Sequence, residues 1–221
     1  TVVDTLTELG VTHVVTIGGD DTAYSAMAVS NYARQIGRTI NVVHVPKTID
    51  NDLPLPEGIP TFGFETARAF GTEEIENLME DARTSNNRWY FTIAMGRTAG
   101  HLALGMGRSA GAALTIIPEE FAAESIPLQQ VVDIITGSIV KRYLTGHNYG
   151  VAVIAEGVIE KIAQEDFQKL GNLVLDEHGH IRYAELDFGE ILKQAVLAEV
   201  KKIGIKIAIV DKEIGYELRC A

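Results

Sequence analysis

An α/β fold of two lobes, each a mainly parallel sheet flanked by helices, is predicted by two features of the sequence. Short apolar runs such as "HVVTIGG", "INVVHVP" and "YGVAVIAEG" alternate with amphipathic stretches of helical period. Buried apolar strands in such an alternation mean parallel pairing, with ligands expected at the carboxyl ends of the strands. The Pro-rich piece "DLPLPEGIP", from Asp52 to Pro60, favours extended chain over helix and breaks the alternation. It divides the chain into residues 1–61, a first lobe, and residues 62–221, a second.

Taken in order, "TVVDTLTELG" reads as a helix with Val2, Val3, Leu6 and Leu9 on one side and Gly10 as its stop. "HVVTIGG" is a strand that feeds the helix "DTAYSAMAVSNYARQIG", and "INVVHVP" is a strand that Pro46 ends. A turn-rich loop, "PKTIDNDLPLPEGIP", precedes a long helix from about Thr66 to Arg83. The strand "RWYFTIAMG", the helix "RTAGHLALGMGRSAGA", the strand "ALTIIPEE", the helix "LQQVVDIITGSIVKRYL" and the strand "YGVAVIAEG" then follow. "DEHGHIRY" reads as a surface hairpin: His178 and His180 beside Asp176 and Glu177 lack a further ligand at metal-like spacing. The helix "FGEILKQAVLAEVKKIG" and the strand "IKIAIV" close the pattern.

Composition narrows the partners. The 221 residues are 46% hydrophobic, enough for an ordinary core, and carry 19 Lys and Arg against 30 Asp and Glu, a net charge of −11. That balance argues against general affinity for nucleic acid or anionic membrane, so any phosphate must be held locally by helix ends, a few basic side chains and a cation. The single cysteine, Cys220, cannot form an internal disulfide and fits a reducing cytoplasm. No apolar run reaches the length of a membrane span, and no signal peptide is evident. The start at Thr1, inside a helix pattern, leads us to expect a segment of a longer protein.

The strand ends carry the chemistry. Read in order they are "GGDDT", "PKTIDND", "MGR", "PEE", "AEG" and "GYELR". Glycines between a strand and a helix bring backbone N–H groups close to a phosphate. The aspartates that follow leave three readings open: Asp20 or Asp21 caps the helix, a cation sits between protein and phosphate, or one carboxylate excludes another anion. In "PKTIDND", Lys47, Thr48, Asp50 and Asp52 place a phosphate-gripping cation beside a proton-accepting carboxylate, the parts of a phosphoryl transfer. A polar loop of Asx turns is the alternative. "MGR", Met95 to Arg97, allows close backbone approach at Gly96 and sends an arginine toward a phosphate or hydroxyl; a solvated strand-to-helix turn is the alternative. His44 and His101 fit packed or capped positions better than catalysis.

The five motifs "GGDDT", "PKTIDND", "MGRTAGHLAL", "AEG" and "GYELR", in this order from about Val14 to Arg219, resemble the phosphofructokinase family, most closely its pyrophosphate-dependent branch. The resemblance implies two Rossmann-like lobes, with residues 1–61 part of a donor-binding lobe and residues 62–221 a lobe that binds sugar phosphate. It implies Asp20 as the Mg²⁺ carboxylate, Asp50 as general base, Lys47 as the charge on the transferred phosphoryl group, and Thr48 as an aid to positioning, with Asp52 assisting the metal or the loop. ATP users carry glycine at the position of Asp21, so Asp21 is implied to exclude ATP and leave room for pyrophosphate. Met95, Gly96, Arg97, Glu156, Tyr216, Glu217, Leu218 and Arg219 are implied to bind the sugar phosphate. Arg88 fits the position that reaches a neighbouring subunit's site, or else is a solvated strand-entry residue.

The activity implied is reversible, Mg²⁺-dependent phosphorylation of fructose 6-phosphate by pyrophosphate, in the cytoplasm, by a homo-oligomer (dimer or tetramer). An ATP-dependent kinase of the same sugar and a catalytically silent regulatory subunit are the alternatives. A kinase of the "GGDGT" superfamily acting on lipid or NAD would not require "PKTIDND" and "MGR" together. The resemblance further implies another glycine-rich phosphate loop ahead of Thr1 and closing elements beyond Ala221.

Overall fold

The computed structural model describes residues 1–170 and 186–220, which divide into two compact units, Thr1–Glu65 and Thr66–Ala221. The "DEHGHIRY" segment lies outside the described residues. Every named strand pair is parallel, as the alternation of strand and helix predicts.

The first unit runs α1 (Val2–Glu8), β1 (His13–Gly18), α2 (Asp20–Gln35), β2 (Asn41–Thr48) and β3 (Phe62–Gly63), in the sheet order β1-β2-β3. Thr1 and Asp4 form a reciprocal cap that starts α1. Its core is small: Val3, Ala33 and Ile40 are buried, with Leu6, Val14, Val29 and Val42 packed against them. Two expectations fail here. Val2 and Leu9 are exposed, because a seven-residue helix turns only Val3 and Leu6 toward this cluster. β1 and β2 are covered on one face only, so Val15, Ile17, Val43 and Val45 on the other face are exposed.

Pro46 does not end its strand; β2 continues to Thr48. Gly18 and Pro46 are the last partners of the β1–β2 ladder, after which Lys47 and Thr48 pair with Phe62 and Gly63 of β3. A proline, which lacks an N–H, fits where the strand leaves one neighbour and takes up another.

The second unit contains most of α3 (Phe64–Ser85), then β4 (Arg88–Ala94), α4 (His101–Ala110), β5 (Leu114–Ile116), α5 (Leu128–Leu144), β6 (Gly150–Ala155), the short helices α6 (Val158–Lys161) and α7 (Gln164–Leu170), α8 (Phe188–Lys202) and β7 (Ala208–Ile214). A 3-10 turn at Pro118–Glu120 follows β5 and another, Tyr216–Cys220, follows β7. The strand order is β5-β6-β4-β7, so β4 and β6 are central. β6 is buried along its whole length and β4 at every position after Arg88, which is why both read as unbroken apolar runs. Val131, Ile135 and Ile139 on α5, and Leu192, Val196 and Val200 on α8, recur every four residues and are all buried, the stripe that binds each helix to the core.

Candidate active site

In the first unit the predicted donor-site residues gather at the carboxyl ends of β1 and β2. Gly18 ends β1 and Gly19 is the N-cap of α2, with no side-chain cap hydrogen bond. The capping reading of Asp20 and Asp21 therefore fails: they occupy the first turn of the helix, where both are exposed and favourably placed against its positive end. A side chain at Gly18 would collide with Thr22, and one at Gly19 would come within 4.0 Å of Thr48, so the β1–α2 turn lies against the end of β2.

The loop after β2 is fixed by its own polar groups. The Thr48 hydroxyl accepts the N–H of Asp50 at 3.1 Å, and Thr61 donates its hydroxyl to the Thr48 carbonyl at 2.7 Å. Asn51, in the left-handed region at φ 55°, accepts the N–H of Thr61 through its side chain at 2.9 Å. These bonds bury the Asp50 side chain, which is only 6% exposed, while Lys47, earlier in the same segment, stays exposed. Asp52 is half-buried in the same loop. Asn51 and Thr61 went unpredicted, since a partner ten residues away across a Pro-rich loop leaves no local signal.

In the second unit the predicted sugar-site residues cluster at the carboxyl ends of β4, β6 and β7. Glu156, the first residue after β6, accepts the N–H groups of Gly96 (3.0 Å) and Arg97 with the same oxygen, Oε1. Arg97 itself has φ 51°, uncommon for a residue with a side chain. A methyl at Gly157 would strike the Arg97 carbonyl and the Thr98 backbone, so the two loops touch. Met95 donates its N–H to Ile214 at 3.0 Å, and the Arg219 guanidinium lies 3.3 Å from the Met95 sulfur and 5.0 Å from the centre of the Tyr216 ring. Glu217 turns back onto the N–H of Gly215 at 3.1 Å. Leu218 is buried, against Gly71 of α3. Tyr216 and Arg219 remain exposed at the rim.

Glu119, in the turn after β5, accepts the N–H of Gly100 at 2.8 Å. The sequence marked its place through "PEE", a charged strand end, but gave no role for it. His101, at the start of α4, is exposed rather than packed, 3.9 Å from Glu119. His44 is held by Thr16 at 2.9 Å and is half-buried, in line with a packed position.

Arg88 lies apart from these groups, at the amino end of β4, roughly 20 Å along the strand from Met95. It donates to Asp81 at 2.7 Å, and the Tyr90 hydroxyl donates to the same carboxylate at 2.5 Å. The Tyr90 and Arg88 hydrogen bonds hold Asp81 below the usual carboxylate range, while burial and then the bond to Asp81 push Tyr90 up.

Among the described residues no three metal-binding side chains converge. An exposed Asp20 beside the glycine turn between β1 and α2 fits a magnesium ion held by one or two carboxylates, water and substrate phosphates rather than by a protein cage. No described helix is long and apolar enough to cross a membrane.

Comparison with known proteins follows the same lines. The family described as Phosphofructokinase matches residues 1–209. The chain is 54% identical to the pyrophosphate–fructose 6-phosphate 1-phosphotransferase of Thermotoga maritima, over 99% of this chain and 52% of that protein. It is 48% identical to the protein of the same name from Naegleria fowleri, over 100% of this chain and 52% of the other. The chain thus spans about half the length of these curated relatives. Among solved structures, the pyrophosphate-dependent phosphofructokinase from Nitrosospira multiformis aligns with a TM-score of 0.65 at 21% identity, over 100% of this chain and 49% of that one. Pichia pastoris phosphofructokinase in the T-state aligns at 0.68 with 16% identity, over 99% and 21%. At such identities the structures speak to the fold, which they share with this chain. On the match across residues 1–209, the chain belongs to the phosphofructokinase family.

Proposed function

We propose that the chain is part of a pyrophosphate-dependent 6-phosphofructokinase, which transfers a phosphoryl group from pyrophosphate to the C1 hydroxyl of fructose 6-phosphate and releases phosphate. The observation that carries this reading is the grouping of Asp20, Asp21, Lys47 and Asp50 at the carboxyl ends of β1 and β2. The names of the relatives from Thermotoga maritima and Naegleria fowleri support the choice of donor.

Asp50, fixed by the Thr48 hydroxyl, accepts the proton of the attacking hydroxyl as the new O–P bond forms and the bond between the two phosphates breaks. Lys47 lies next to Thr48 and is exposed, so its ammonium can meet charge on the transferred group and on the departing phosphate. Asp21 puts a carboxylate where a nucleotide's additional phosphate would run, and repulsion there favours the shorter donor. Asp20 would hold Mg²⁺, which when bound neutralises phosphate charge.

The second unit supplies the sugar-phosphate groups: the Arg97 and Arg219 guanidiniums for the phosphate, and Glu156 for sugar hydroxyls. Glu156 Oε1 is taken up by the two backbone N–H groups, and Oε2 accepts no hydrogen bond among the described residues, which leaves it for a hydroxyl donor. A cytoplasmic setting, which the lone cysteine supports, and the homo-oligomer that the family resemblance implies are part of the same proposal.

The test is the formation of fructose 1,6-bisphosphate by the full-length protein from fructose 6-phosphate and pyrophosphate, with and without Mg²⁺. Product that requires both pyrophosphate and the ion is expected. No product under any of these conditions contradicts the proposal.

A further inference from the structure

We propose that Glu119 is a positioning residue for the loop Met95–Gly100, acting as the counterpart of Glu156 from the other side. The inference rests on the reading of that loop as part of the sugar-phosphate site.

The loop joins β4 to α4 and is gripped at both ends by carboxylates from neighbouring elements. Glu156, at the end of β6, takes the N–H groups of Gly96 and Arg97. Glu119, in the turn after β5, takes the N–H of Gly100 at 2.8 Å. Because β6 pairs with both β4 and β5, the two carboxylates project from successive strand ends beside the loop. Gly100 is buried, and a methyl there would collide with Ile117 and with the Glu119 carboxylate, so the loop end lies tight against the β5 turn. Between the two grips stands Arg97 at φ 51°, a conformation that a side chain disfavours and that surrounding contacts must impose. A turn in which Ala99 donates to the Gly96 carbonyl at 3.0 Å connects the grips.

The N–H of Gly100, the N-cap of α4, is taken by the Glu119 carboxylate, which ties the start of that helix to the turn after β5. Glu119 then holds the frame from which the Arg97 side chain reaches. A hydrogen bond to a charged group on a partly exposed carboxylate is of a size to change ligand affinity about tenfold when lost.

The test uses Glu119→Ala and Glu119→Gln in the full-length protein, with two readouts. Amide hydrogen exchange reports the loop directly. Glu119→Ala is expected to speed exchange about tenfold at Gly96 and Arg97 as well as at Gly100, while Glu119→Gln, which keeps an oxygen acceptor, stays near the parent. Steady-state kinetics should show the KM for fructose 6-phosphate rising about tenfold in the Ala variant, the KM for pyrophosphate unchanged within about twofold, and rescue by Gln. Faster exchange confined to Gly100, with both KM values unchanged, overturns the proposal. If the parent protein turns over no fructose 6-phosphate, the sugar-site reading fails, and exchange at Gly96 and Arg97 still decides the role of Glu119. Should the Ala variant not fold, Glu119→Asp, one methylene shorter, is expected to shift the same readouts in the same direction.

Discussion

Glu156 Oε1 accepts the N–H of Gly96 at 3.0 Å and, with the same oxygen, the N–H of Arg97, so the end of β6 fixes the loop at the end of β4. The two strands are paired in register from Trp89 with Gly150 to Ala94 with Ala155, and this carboxylate continues their alignment past the last ladder position. A side chain proposed to meet substrate thereby also shapes the loop beside it.

Replacing Glu156 by Ala removes an acceptor for two N–H groups and, on the proposed reading, a partner for a sugar hydroxyl. We expect kcat/KM for fructose 6-phosphate to fall by at least about 100-fold, with the KM for pyrophosphate within about threefold of the parent. Initial-rate kinetics with each substrate varied in turn measures both. A fall in kcat with both KM values unchanged would point to loss of folded enzyme.

Asp50→Asn keeps the size of the side chain and removes its capacity to take a proton. A fall in kcat of about 10² to 10⁴, with KM for either substrate changed by less than about fivefold, is the expected outcome. Retention of more than a tenth of the parent kcat would show that another group takes the proton.

Gly157→Ala tests the contact between the β6 and β4 loops. Its methyl would strike the Arg97 carbonyl, and overpacking of this kind costs about 1–3 kcal/mol. Urea denaturation should show that loss, together with weaker sugar-phosphate binding, whereas Gly146→Ala, at a positive φ with open space around it, should lose stability without altering binding.

Lys193 on α8 donates to Asp211 of β7 at 2.8 Å and also to Glu190. The Lys193 bond holds Asp211 below the ordinary carboxylate range, and the two acidic partners, Asp211 first, push Lys193 above its own. With the folded value of Asp211 depressed, its contribution is present above the unfolded carboxylate value and is lost as pH falls through the folded one. With that of Lys193 raised, its contribution is complete below the unfolded lysine value and is lost only as pH rises through the folded one. The pair therefore stabilises between about pH 4 and pH 10. Lys193→Met should lower the stability by about 1 kcal/mol at pH 7 and by less at pH 3, read from urea denaturation at both. An equal loss at both pH values would assign the effect to packing.

Much of this architecture was legible because its signals are local. The apolar runs of β4 and β6 are unbroken since both strands are covered on two faces, and the glycines at Gly18 and Gly19 sit where a strand must turn sharply into a helix. The remainder depends on contacts between distant residues. The sequence placed the start of α4 at Arg97, yet Arg97 is left-handed and the helix begins at His101, because Glu156 and Glu119 hold the intervening backbone in a loop. Pro46 read as a stop because the change of partner from β1 to β3 is a property of the sheet. Arg88, near the site motifs in sequence, stands at the opposite end of β4, since a strand of seven residues separates the two ends. Glu119 and Thr61 carry no motif of their own, and only the fold shows what they hold.

The donor is the central question, and the most direct measurement compares pyrophosphate with ATP as phosphoryl donor to fructose 6-phosphate, in the full-length protein and in its Asp21→Gly variant. Turnover by the parent with pyrophosphate and not with ATP, together with measurable turnover with ATP once Asp21 is replaced, is the predicted result. Efficient turnover with ATP by the unmutated protein would contradict the assignment of Asp21 as the group that excludes it.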